Sequence, residues 1–172
     1  MKKLFVIVIL TLAFVSSSSI HAQDKLKVGN KAPNFTLQDV HGKKYTLDLL
    51  CKQSPVVVYF YPKAGTPGCT TEACGIRDDW GKFKENKIQV LGISVDDTKA
   101  IKDFIANNHL NFPLLSDADK KVSNEYGVLM DYGMDKRVTF IVDKKGIIAD
   151  IIDVTYIPGH AEKVLALAAK LK

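Results

Sequence analysis

Cys69 and Cys74 stand five positions apart in the stretch YPKAGTPGCTTEAC, residues 61–74, which also holds Pro62, Thr66 and Glu72. Thr66-Pro67 reads as a helix start, with threonine at the cap and proline in the first turn, where its missing N–H costs nothing. Cys69 then falls within that first turn. Unpaired N–H groups and the helix dipole favour an anion there, which raises the thiolate fraction of a thiol. At about 100° per residue, Cys69 shares an apolar face with Ala73, Ile76, Trp80 and Phe83, whereas Cys74 turns about 140° away, toward Thr70, Asp78 and Gly81. Helical positions five apart lie about 8–9 Å apart at Cα, beyond the reach of a disulfide, so these two sulfurs pair only if the helix unwinds.

The spacing sorts the chemistry. A thioredoxin-type exchange centre normally uses Cys-x-x-Cys, and a metal site needs more ligands than this segment supplies. A structural disulfide would not ordinarily be built across a helix that forbids it. A thiolate that attacks an electrophile is the best remaining account: attack on a peroxide O–O bond gives a sulfenic acid, which a neighbouring thiol traps as a disulfide. A thiol–disulfide exchange protein and a non-catalytic, thioredoxin-like metal-binding module stay open as alternatives.

Peroxide chemistry also calls for a cation beside the sulfur. Only two of the 24 basic residues are arginines, Arg77 and Arg137, so the planar guanidinium fork is used sparingly. Arg137 opens an expected strand that can end beside the helix start, while Arg77 lies about 12 Å up the axis from Cys69. Arg137 is therefore the better candidate. Cys51, which follows two leucines, reads as a buried, inert thiol. His41, His109 and His160 read as turn and helix-end residues without a chemical role.

The elements that must carry these residues follow from periodicity. Residues 34–37 and 44–47 flank His41-Gly42 as a hairpin, and the apolar, β-branched and aromatic run at 55–61 is a strand buried on both faces. A helix is expected over 66–86, a strand over 88–95, a helix over 98–108 and a shorter helix over 119–126. Two strands at 138–142 and 147–153 flank a turn at Asp143–Gly146, and an amphipathic helix covers 160–171. A βαβ half joined to a ββα half, with an extra hairpin in front, is an α/β arrangement of the thioredoxin-like sandwich class.

The first 22 residues read as a secretory signal peptide: Lys2 and Lys3, an apolar run at 4–15, then a small and polar segment with cleavage expected after Ala22. Its removal leaves residues 23–172 as one domain and lowers the net charge from +5 to +3, because the segment holds two lysines and no acid. Scattered lysines without interleaved aromatics give no nucleic-acid stripe. An exported chain, placed in the periplasm, meets oxidising conditions, and three cysteines leave at least one thiol over.

Pro62-x-x-x-Thr66-x-x-Cys69, within the longer YFYPKxxTPGCTxEAC and together with Arg137-Val-Thr-Phe, resembles the bacterioferritin comigratory protein, or peroxiredoxin Q, group of peroxiredoxins. The likeness runs from about residue 28 to the end and includes Phe112-Pro-Leu-Leu-Ser-Asp117. It implies a thioredoxin-like peroxidase acting on hydrogen peroxide and organic hydroperoxides. It further implies Cys69 as the peroxidatic cysteine, Cys74 as the resolving cysteine in the same helix, and Thr66 and Arg137 as hydrogen-bonding partners of thiolate and peroxide. Pro62 would shield the pocket, and Glu72 would orient the arginine. The resemblance brings no metal or organic cofactor, and a thioredoxin-like reductant as partner. No nucleic-acid partner, no membrane association after cleavage and a monomeric chain complete the expectation. The sequence departs from many relatives at Ala64-Gly65, and its export signal implies an exported or membrane-tethered donor.

Overall fold

Five consecutive residues of strand β3 (Val56–Phe60) are fully shielded from solvent, and the rest of the chain is arranged to keep them so. The computed structural model describes residues 25–171; the expected signal peptide lies outside the described residues. Strand β1 (Thr36–Gln38) pairs antiparallel with β2 (Lys44–Thr46) as the expected hairpin, its first strand two residues later than periodicity suggested. Asp39 makes the turn by accepting the backbone N–H groups of His41 and Lys43 on Oδ1. A short helix α1 (Leu47–Cys51), not anticipated, leads into β3.

Helix α2 (Pro67–Asp78) and helix α3 (Trp80–Glu85) occupy the span where one continuous helix was expected. They divide at Asp79, with φ −89° and ψ 4°. Gly75, Asp78, Asp79 and Gly81 crowd weak helix formers into this spot, so the break has a local cause. Strand β4 (Gln89–Ser94) and helix α4 (Thr98–Asn108) follow as expected, the helix capped by Asp97 Oδ1, which accepts the Ala100 N–H at 2.7 Å. Strand β5 (Leu114–Ser116) was missed, and helix α5 (Lys121–Glu125) is shorter than expected. Strands β6 (Val138–Val142) and β7 (Ile148–Asp153) and helix α6 (His160–Ala168) complete the chain, with a 3-10 turn at Ala169–Leu171.

The main sheet has the order β5-β4-β3-β6-β7; β4 runs parallel to β3 and β5, whereas β6 runs antiparallel to β3 and β7. Alternation along β3 splits the core in two. Val57 and Tyr59 join Tyr61, Cys69, Ile76, Phe83, Phe104 and Val164 on one face, under α2, α3, α4 and α6. Val56, Val58 and Phe60 join Tyr45, Leu47, Cys51 and Tyr126 on the other, under the hairpin, α1 and α5. Cys51 is thus buried across the sheet from Cys69, as an inert thiol should be, and burial pushes it up to about 11.

Candidate active site

The site lies where the first turn of α2 meets the start of β6. Thr66 has the extended backbone of a cap residue and its carbonyl accepts the Thr70 N–H at 2.8 Å. Its side chain makes no cap bond: Oγ1 donates to the Lys63 carbonyl at 3.1 Å, tightening the loop, and the expected bond from Thr66 to the sulfur is not formed here. A second tie on this loop comes from Asp96, whose Oδ2 accepts the Ala64 N–H at 2.7 Å. Pro62 is half-buried at the head of the loop.

Cys69 is buried with 1% exposure, in the same apolar cluster as Ala73, Ile76 and Phe83, while Cys74 is half-exposed. This is the division of environments that helical spacing predicts. The register Phe60↔Val138 sets Arg137 at the end of β3, just past the strand that leads to the active loop. There its Nη2 donates to Cys69 Sγ at 3.2 Å and its Nη1 donates to Glu72 Oε2. A Cβ on Gly68 would come within 3.2 Å of both Arg137 Nη2 and Ile157 Cδ1, so the glycine leaves room for the guanidinium. Arg77 points elsewhere, bonding Asp78 and donating to the Asn108 carbonyl at the end of α4.

Glu72 is one turn past Cys69 and wholly buried as a side chain. Burial pushes its carboxyl up to about 7, against the opposing pull of Arg137. Behind it stands His160, the first residue of α6, its Nδ1 at 3.2 Å from Glu72 Oε1 and its Nε2 at 3.0 Å from Thr139 Oγ1. Burial foremost, then the charges of Arg137 and Lys163, lowers His160 to about 4. His160 begins α6 as the sequence suggested, and the structure adds that it is buried between Thr139 and Glu72. A signal for it was present, since His160, Val164 and Ala168 lie on one stripe of α6 and are all buried. Among the described residues, no three His, Cys, Asp or Glu side chains converge as metal ligands.

A model described as the AhpC/TSA family matches residues 28–151. The chain is 42% identical over 166 residues to the chloroplastic peroxiredoxin Q of Populus jackii, covering 94% of this chain and 78% of that protein. Among solved structures, the Mycobacterium tuberculosis peroxidoxin BcpB superposes with a TM-score of 0.78 at 35% identity, over 86% of this chain and 99% of that one. The Xanthomonas campestris bacterioferritin comigratory protein, described for its alkyl peroxide reduction, gives a TM-score of 0.73 at 32% identity, over 80% and 92% of the two chains. The chain therefore belongs to the AhpC/TSA family, with the thioredoxin fold of the peroxiredoxins, and within it to the Bcp and peroxiredoxin Q group.

Proposed function

We propose that this protein is an exported, thiol-dependent peroxidase that reduces hydrogen peroxide and organic hydroperoxides. The observation that carries the reading is one guanidinium bound at once to a buried cysteine sulfur in a first helical turn and to a buried carboxylate. The likeness to an alkyl peroxide-reducing protein supports the substrate class.

The Cys69 thiolate attacks the terminal oxygen of the hydroperoxide; an S–O bond forms, the O–O bond breaks and the sulfur is oxidised to a sulfenic acid. The peroxide is reduced to an alkoxide that takes up a proton and leaves as alcohol, or as water from hydrogen peroxide. Arg137 is placed to neutralise charge that develops on the departing oxygen, and such a fixed donor contributes about 10²–10³-fold to a rate. The Cys74 thiol then attacks the sulfenic sulfur, releasing water and forming the Cys69–Cys74 disulfide. That bond requires α2 to unwind, because helical geometry holds the two Cα atoms about 8–9 Å apart. Two electrons from a thioredoxin-like dithiol restore both thiols, and Cys51, across the sheet, takes no part.

Residues 1–22 support export, and two sulfurs in one helix support a chain that works as a monomer. Peroxide consumption with a dithiol donor tests the enzyme. Cys69→Ser should abolish turnover, Cys74→Ser should accumulate a dimedone-reactive Cys69, and the exported form should have the mass of residues 23–172. Stoichiometric copper binding without turnover, or a peroxide-induced disulfide to Cys51, would overturn the assignment.

A further inference from the structure

Glu72 Oε2 is taken by Arg137, but Oε1 has no hydrogen-bond partner, and neither has His160 Nδ1, which faces it at 3.2 Å. Both atoms are sealed from water, with side-chain exposure of 0% for Glu72 and 3% for His160. Two unmet buried polar atoms in van der Waals contact are costly unless a proton is shared between them. Which atom holds the proton then matters. A buried imidazole that stays neutral carries one N–H, and its position is set by the partner of the other nitrogen. Thr139 is that partner. Its hydroxyl can donate to Nε2, which puts the ring proton on Nδ1 and aims it at Glu72; the opposite tautomer would set the lone pair of Nδ1 against a carboxylate.

We propose that His160 is a positioning residue for the peroxidatic centre: fixed by Thr139 as the Nδ1–H tautomer, it donates to Glu72, keeps that carboxylate ionised on Arg137, and so holds Arg137 on the Cys69 sulfur. The inference rests on the peroxidase reading of the same site. The groups that face this chain are few. Arg137 approaches Glu72 from the start of β6 and His160 from α6, with Lys163 one turn behind the ring. From β3, Tyr59 lies close enough to feel Glu72, Cys69 and Arg137, and burial foremost holds its phenol neutral. The Tyr59 hydroxyl is likewise buried without a hydrogen-bond partner, but the neutral donor that stands at Glu72 Oε1 is His160 Nδ1, at 3.2 Å. Helices α2 and α6 lie side by side here, with Gly75 facing Ala161 closely enough that an added Cβ would make an ordinary contact at 3.7 Å.

Two substitutions separate the nitrogens, because the amide of asparagine overlays Nδ1 of a histidine and that of glutamine overlays Nε2. His160→Asn should keep Cys69 alkylation by iodoacetamide, followed by peptide mass spectrometry, within about 3-fold of the parent at pH 7. His160→Gln should slow it by about 10-fold, with the deficit closing toward pH 9, where Glu72 ionises unaided. Thr139→Val should fall between them. In the unaltered protein, nitrogen NMR should show His160 as the neutral Nδ1–H tautomer. An Nε2–H tautomer or an imidazolium at pH 7 overturns the proposal even if every variant fails to fold, and so do equal pH profiles for the asparagine and glutamine variants. Alkylation and NMR need no peroxide, so a parent that fails to consume peroxide refutes the enzyme reading and leaves these two measurements to judge His160.

Discussion

Two buried carboxyl groups, Glu72 and Asp135, are both pushed up to about 7, yet their surroundings are opposite. Glu72 has a guanidinium on one oxygen and an imidazole facing the other. Asp135, fully buried two residues before Arg137, has no bound cation: its Oδ2 lies 3.1 Å from Ser123 Oγ and its Oδ1 has no partner. Ser123 Oγ also stands 2.7 Å from Asp117 Oδ2, and one hydroxyl proton cannot serve both acids. The count closes if Asp135 is the protonated acid and donates to Ser123, which donates to Asp117. Asp117 already accepts the backbone N–H groups of Val122 and Ser123 and is the better anion of the two. The same burial therefore serves two ends. Beside Arg137 it encloses a charged contact at the Cys69 sulfur, and beside Ser123 it favours a protonated acid that would knit the segment after β5 to the segment before β6.

The sharpest way to break this comparison is to neutralise each acid in turn. Glu72→Gln should cut kcat/KM for hydroperoxide by about 10²-fold, the scale of losing a preorganised electrostatic contact. Asp135→Asn should do the reverse, leaving kcat/KM at pH 7 within about 3-fold and acting on stability instead.

The sign for Asp135 follows from its folded value, about 7, which stands above the ordinary 3.8. The folded state holds a proton that the unfolded chain has released by about pH 5, so the stabilisation is whole below about pH 4 and is lost as pH rises through about 7. Denaturant titrations of the parent should show about 2 kcal/mol less stability at pH 8 than at pH 5 from this group, and Asp135→Asn should flatten that slope. A parent whose stability rises over that interval would refute a protonated Asp135. Ser123→Ala should cost about 1–2 kcal/mol, because it removes the hydroxyl that joins the two acids while Asp117 keeps its backbone donors, and it should leave peroxide reduction unaffected. Smallest of all, Cys51→Ala on the far face should cost about 1 kcal/mol in thermal unfolding and nothing in turnover.

The two regions also differ in how legible they were. Cys69, Glu72 and the cap position of Thr66 are close in sequence, so the geometry of one helix start places them, and the scarcity of arginine singles out Arg137. The class of the fold followed from strand and helix alternation, but the sheet order did not, because its edge strand β5 was not read from the sequence. His160 was missed because a lone histidine at a helix start has many uses, and only the register of α6 against α2 gives it one. Asp117 and Asp135 lie on loops that carry no periodic signal and meet at Ser123 of α5, and β5, three residues behind a proline, is too short to show alternation. Thr66 illustrates the converse: the family resemblance implied a hydrogen bond to thiolate or peroxide, whereas its hydroxyl donates to the Lys63 carbonyl. The single expected helix over 66–86 failed at Asp79 for a reason visible beforehand, the run of glycine and aspartate.

In the proposed cycle, that break would limit how far disorder travels. Forming the Cys69–Cys74 bond must melt turns of α2, but α3 begins anew past Asp79, with Phe83 fully enclosed and Lys82 tied to the Asp79 carboxylate at 2.6 Å. Asp79 acts as a firebreak. On oxidation, amide hydrogens of α2 should exchange quickly while those of α3 remain slow.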